Sequence, residues 1–187
     1  MRSSESSQAL QHAARLVVQD GLDLPAALRV ASRHARRRSE IDALWKDLPS
    51  AVRGYQDLFK HAAYQARVAD TRAAVAAARA LYASFPILLL GAAAHDLAAD
   101  NDLLEVGIHL DEDEALLRWL MDREIPYQVS ELRVSLQSGS GGRRCTSVSH
   151  GLAGMSLRLL CLPREWQGRP LFVGGLPWPM LGLSAVQ

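Results

Sequence analysis

The chain has 187 residues, 49% hydrophobic and 22% charged, with 21 Lys and Arg against 20 Asp and Glu and a net charge of +1. That length predicts one domain, or one compact domain with a helical appendage, and is enough to bury a real core. Near-neutral charge excludes a global field that would draw the protein to nucleic acid or anionic lipid. No apolar run approaches the roughly 18 residues of a membrane span, and MRSSESSQAL lacks the basic-then-apolar order of a secretory signal. No membrane partner is expected, and the cytoplasm is the expected compartment. Cys145 and Cys161 are too few and too widely spaced for a zinc site of their own, so free, buried or half-buried thiols are expected.

The first half is Ala- and Arg-rich and reads as helix. The SSESS run is expected to be a disordered tip. Ala9, Leu10, Ala13, Leu16 and Val17 fall at helical spacing, with Gly21 as the stop. Asp23 and Pro25 mark the start of a second helix with Leu28, Ala31 and Ala35 on its apolar stripe. Arg36-Arg37-Arg38 follows it, preceded by Arg29 and Arg33; it reads as a basic helix end that the dipole favours, or as a phosphate-touching face. Asp47 and Pro49 predict the start of a third helix carrying Val52, Tyr55, Leu58 and Phe59. Asp70 is the expected N-cap of a fourth, Thr71 to Tyr82, broken by Phe85-Pro86.

The period then changes to two. Ile87 to Leu90 predicts a short buried strand. Asp102 to Leu110 alternates, with Leu104, Val106, Ile108 and Leu110 on one face and Leu103, Glu105, Gly107 and His109 on the other. Asp111 is the expected cap of a helix with an acidic first turn and a core stripe of Leu116, Leu117, Leu120 and Met121. Tyr127 to Leu136 predicts a third strand, Ser138 to Gly142 a hairpin loop, and Met155 to Leu162 a central strand. Leu171 to Val173 is expected as a short last strand before a Gly/Pro-rich tail holding Trp178.

LVVQDGLDLPAALRVASRHA, LPSAVRGYQDLF and the stretch from Leu81 to Val129 carry, by order and spacing, a resemblance to a family of small bacterial proteins with a nucleotidyltransferase-like fold. The resemblance implies an α/β (α+β) protein: a helical subdomain, residues 1–84, packed on a small mixed sheet, residues 85–187. It also implies a Gly turn after the first strand and an acid-hydrophobic-acid triplet on the second. Carboxylates two apart on a strand share a face and bridge two magnesium ions, which neutralise nucleotide phosphates. Glycine lets those phosphates approach backbone amides.

Here the turn is Gly91-Ala92, without a hydroxyl, and the alternation assigns Leu103 and Glu105 to the acid positions. Leu103 cannot bind a metal. A rival register uses Asp100 and Asp102, with Glu131 as third acid beside Arg133, but buries Asn101 at a cost of about 1–3 kcal/mol. The simpler reading makes Asp100-Asn101-Asp102 the turn that launches the strand.

Other cleft candidates each have a bland reading. His95-Asp96 is a loop pair near the pocket mouth or a solvated one, and His109 shares the Glu105 face. Arg143-Arg144 follows the glycines. Arg158 interrupts an apolar strand and needs a partner, Glu131 or Glu105. The expected function is a catalytically degenerate nucleotidyltransferase-like protein that binds a nucleotide, an RNA or a protein through a cleft around Gly91, Ala92, Glu105, His109, Arg133 and Arg158. The alternatives are an active magnesium-dependent transferase using Asp100, Asp102 and Glu131, and a protein-interaction scaffold whose cleft is vestigial. No cofactor is expected, with magnesium only in the active case. No Gly-Lys-Ser/Thr phosphate loop is present, which argues against a muramyl-type ligase.

Overall fold

The computed structural model describes residues 2–32, 38–138 and 141–182. It is a mixed α/β protein: helices α1 (Arg2–Val18), α2 (Leu24–Ala31), α3 (Arg38–Phe59) and α4 (Ala62–Leu81) precede the sheet. Strands β1 (Ile87–Leu90) and β2 (Leu103–Leu110) come next, then helix α5 (Glu114–Asp122) and strands β3 (Gln128–Val134), β4 (Arg143–Leu152) and β5 (Met155–Pro163). Three short strands close the fold, β6 (Leu171–Val173), β7 (Leu176–Trp178) and β8 (Met180–Gly182). No helix among the described residues is long and apolar enough to cross a membrane.

The sheet has the order β3-β4-β5-β2-β1-β8, and among the described residues its one parallel pair is β2 with β5. Alternation along β2 sorts the core as expected: Leu104, Val106 and Ile108 are fully buried beneath α4 and α5, while Leu110 is half-buried at the strand end. The opposite face is covered over part of its area by the β6–β7 hairpin and Trp166, which pack on Leu160, Leu162 and Val134. Helices α1, α2 and α3 form a second cluster with Tyr64 of α4 and with Ala92, Leu97 and Ala98 of the β1–β2 connection. Helix α4 therefore serves both clusters, its N-terminal half facing the helices and Ala74, Ala78 and Tyr82 facing the sheet.

Several local signals were overruled. The SSESS run lies inside α1 rather than in a disordered tip. Pro49 does not start a helix but sits within α3, because Leu44, Leu48 and Val52 bury one continuous stripe through it, offsetting an interior proline's penalty of about 3 kcal/mol. Leu58 and Phe59 then emerge exposed, at 79% and 60%. Asp70 is an exposed mid-helix residue, since alanine-rich sequence carries α4 back to Ala62. Asp111 does not cap α5; it pairs with Arg164, and Asp113 takes the capping position without a side-chain bond. Met121 is exposed because the face of α5 that meets the sheet is centred on Leu116 and Leu120. Strand β4, with its serines and arginines, went unread, and β6 is followed by two further strands. Arg33, Ala35, Arg36 and Arg37 lie outside the described residues, as does the Arg38 side chain. Cys145 and Cys161 are free and buried, and burial raises their thiol pKa values to about 11 and about 12.

One buried hydroxyl joins α4 to the β1–β2 connection. Thr71 Oγ1 donates to the Arg67 carbonyl and accepts from the Ala99 amide, both at 2.9 Å. Thr71→Val keeps the shape but strands the Ala99 N–H, and is expected to cost about 1–3 kcal/mol, read as a lowered urea midpoint with unchanged slope.

Candidate functional site

Gly91 ends β1 with φ +66°, a left-handed conformation that glycine adopts without strain. A short 3₁₀ turn, Gly91–His95, follows, and a second, Asp100–Asp102, feeds β2. Antiparallel pairing sets Leu90 opposite Glu105, and the parallel β2–β5 register sets Glu105 opposite Arg158. Glu105 therefore lies beside the glycine turn: a Cβ on Gly91 would stand 3.0 Å from its Oε2.

The Glu105 carboxylate is engaged by two side chains of the same chain. Arg158 Nη1 donates to its Oε1 at 2.9 Å, and the Trp178 indole N–H donates to the same carboxylate. Burial raises the Glu105 pKa, outweighing the pull of the Arg158 charge, as expected when desolvation of an ion pair exceeds its attraction. The tail that carries Trp178 also closes the turn itself. The Gly91 amide donates to the Pro179 carbonyl at 3.0 Å, and Trp45 Nε1 donates to the Pro177 carbonyl at 2.8 Å. Strand β8 then pairs with β1. The amide and carboxylate expected to face a ligand are bonded within the chain.

Asn101 and Asp102 both take positive φ, and Asp100 and Asp102 make different contacts. Asp100 Oδ1 accepts the Leu24 amide at the start of α2, 3.3 Å away. Burial, with the Asp23 and Glu105 charges added, pushes its pKa up to about 7 despite that bond and nearby Arg67. Asp102 is exposed and lies 3.7 Å from Arg67 Nε. The three residues are thus the turn that launches β2.

Glu131 is not brought to them. It lies on β3, the far edge strand, with β4 and β5 between it and β2, and pairs with Arg144. Arg133, on the same strand, donates to the Gly141 carbonyl. Ala92 is buried in the helical cluster. His109 shares the Glu105 face at the other end of β2, its Nδ1–H donating to the Pro163 carbonyl at 3.2 Å. Asp96 is held by Arg72, whose hydrogen bonds lower its pKa, while burial, with Arg53, lowers that of His95. Arg143 pairs with Glu165. Among the described residues no group of three or more His, Cys, Asp or Glu could hold a metal ion.

Of the expected cleft, then, Gly91, Glu105 and Arg158 come together. The sequence reading missed Trp178 as the neighbour of Gly91 and Glu105, and Asp23 and Arg67 as neighbours of Asp100, since each reaches its place from a distant element. The one available signal was the tryptophan in the Gly/Pro-rich tail. No family model, curated protein or solved structure matches the chain.

Proposed function

We propose that this chain is a nucleotidyltransferase-like protein that has lost transfer chemistry and acts as a protein-binding module. One observation carries the reading: the Gly91 amide and the Glu105 carboxylate, the groups that would meet a nucleotide's phosphates and metal, are bonded to Pro179, Arg158 and Trp178 of the same chain. On the strand parallel to β2, the position level with Glu105 holds an arginine rather than an acid. A lone carboxylate neutralised by a cation supplies no bridge for two metal ions. Around the turn Asp23, Asp96, Asp102 and Glu105 are matched by Arg53, Arg67, Arg72 and Arg158, with Asp100 kept partly protonated by burial, so no cationic surplus gathers phosphate. Protein is favoured over nucleotide and RNA for that reason. The exposed Leu58 and Phe59 at the end of α3 provide the helical half with an apolar contact point.

The test combines chemistry and binding. No transfer is expected from labelled nucleoside triphosphates with magnesium or manganese over a broad set of acceptors. No salt-sensitive binding of nucleotides or short RNAs is expected at two salt concentrations. Robust transfer abolished by Asp100→Ala or Asp102→Ala would replace this reading with the active enzyme. Salt-sensitive binding lost on neutralising Arg158 or the Arg143-Arg144 pair would replace the protein partner with a phosphorylated one.

A further inference from the structure

We infer that the groove between Trp45, Gly91 and Glu105 receives the tail of a second copy of this chain, so that the protein dimerises by reciprocal exchange of residues 176–182. The occupant is the segment already seated there. In Leu176-Pro177-Trp178-Pro179-Met180 the Pro177 and Pro179 carbonyls accept from the Trp45 indole and the Gly91 amide, at 2.8 and 3.0 Å, and the Trp178 indole donates to Glu105. The receiving groups stand on α3, at the end of β1 and on β2, and pairing of β1 with β8 adds a short ladder. None of them belongs to the tail, so an identical tail from another molecule satisfies each one. A foreign segment would have to reproduce both carbonyl positions with an indole between them. A second copy does so by identity.

Two further observations make the exchange accessible. No residue from Leu176 to Gly182 is buried, so polar bonds and short strands hold the tail in place of a core of its own. A segment held in that way opens without unfolding the rest of the chain. Its connection to the body is a single two-residue turn, since β6 and β7 pair Val173 with Leu176 across Gly174-Gly175, at φ +58° and +81°. Glycine forms that turn without strain, and it also gains the most freedom when the turn opens. Opening gives up the Ser138 hydroxyl's bond to the Gly175 carbonyl. The tail's bonds to Trp45, Gly91 and Glu105 return in the exchanged form, so the closed and exchanged states differ in the hinge and in concentration.

Deletion of Gly174 tests the inference. A single residue is too short to close an antiparallel hairpin, whereas Leu171-Phe172-Val173-Gly175-Leu176-Pro177-Trp178 can run straight beside its copy. Every pairing of the hairpin is then kept between molecules, Leu171 with Trp178, Phe172 with Pro177 and Val173 with Leu176. By sedimentation equilibrium the full chain is expected to be monomeric at about 10 μM and to form dimer toward about 1 mM, the scale of a short tether's effective concentration. The deletion variant is expected to dimerise with a dissociation constant at least about tenfold lower. In nuclear magnetic resonance of mixed isotope-labelled and unlabelled copies, the Gly91 amide and Trp45 indole should show contacts to Pro179 and Pro177 of the other copy. A variant that stays monomeric, with its Gly91 amide exchanging freely, would overturn the inference. So would a dimer lacking those contacts, which would place the interface elsewhere, as at Leu58 and Phe59. Should the deletion prevent folding, the same mixed-label measurement on the full chain refolded at about 1 mM decides, and absence of the inter-copy contacts there overturns the inference equally. None of these outcomes depends on whether the chain transfers nucleotides or binds RNA.

Discussion

Replacing Asp100 by Asn is expected to stabilise the protein above neutral pH and to flatten its dependence on pH. The Asp100 carboxyl has a pKa of about 7 in the fold against an ordinary value of 3.8, because it is buried beside the charges of Asp23 and Glu105. A carboxyl whose folded pKa is raised stabilises the fold fully below its unfolded pKa. That contribution is lost as pH rises through the folded value. Wild-type stability should therefore fall between about pH 4 and pH 7, this one group accounting for on the order of a few kcal/mol. Asn presents the same oxygen to the Leu24 amide and carries no charge. Urea unfolding of both proteins at pH 5 and pH 8 checks this. A variant whose pH 5 to pH 8 difference equals that of the wild type would show that Asp100 ionises freely.

The second large effect concerns Arg158. Arg158→Met should destabilise the protein by about 2–4 kcal/mol near pH 8, somewhat below the range for a fully buried pair, since the Arg158 and Glu105 side chains are 32% and 19% exposed. It leaves Glu105 with only the Trp178 N–H. The loss should shrink at pH 5, because burial already raises the Glu105 pKa and removing the cation raises it further, so protonation relieves the unpaired charge. Adding Glu105→Gln should restore most of the stability at pH 8. A single-variant loss that does not change with pH, or a double variant no better than the single, would place the damage in packing instead. Recovery would establish that Arg158 serves Glu105 rather than a ligand.

The elements most legible in the sequence were those whose signal is local. Leu104, Val106 and Ile108 alternate over β2, and the burial follows that period because successive side chains of a strand must face opposite ways. Ile87 to Leu90 and Met155 to Leu162 were readable as buried strands because their residues are nearly continuously apolar. Strand β4 was hidden because Arg143, Arg144 and two serines, Ser147 and Ser149, read as loop. Ser147, at 1% exposure, is buried only because of the strands beside it. Asp47-Pro49 and Asp70 misplaced two helix starts because capping residues are weak signals against a continuous packed stripe.

What the sequence determined by itself was the mixed α/β class, the face of β2 on which Glu105 lies, and the absence of a metal-binding side chain at Leu103. What only the tertiary structure decided was the company Glu105 keeps. Parallel pairing of β2 with β5 brought Arg158 beside it, the returning tail brought Trp178 and Pro179, and insertion of β4 and β5 carried Glu131 to the opposite edge. Register within a strand follows from the spacing of neighbouring residues. The choice of which strands become neighbours is made by burial across the whole chain, and no stretch of sequence a dozen residues long contains it.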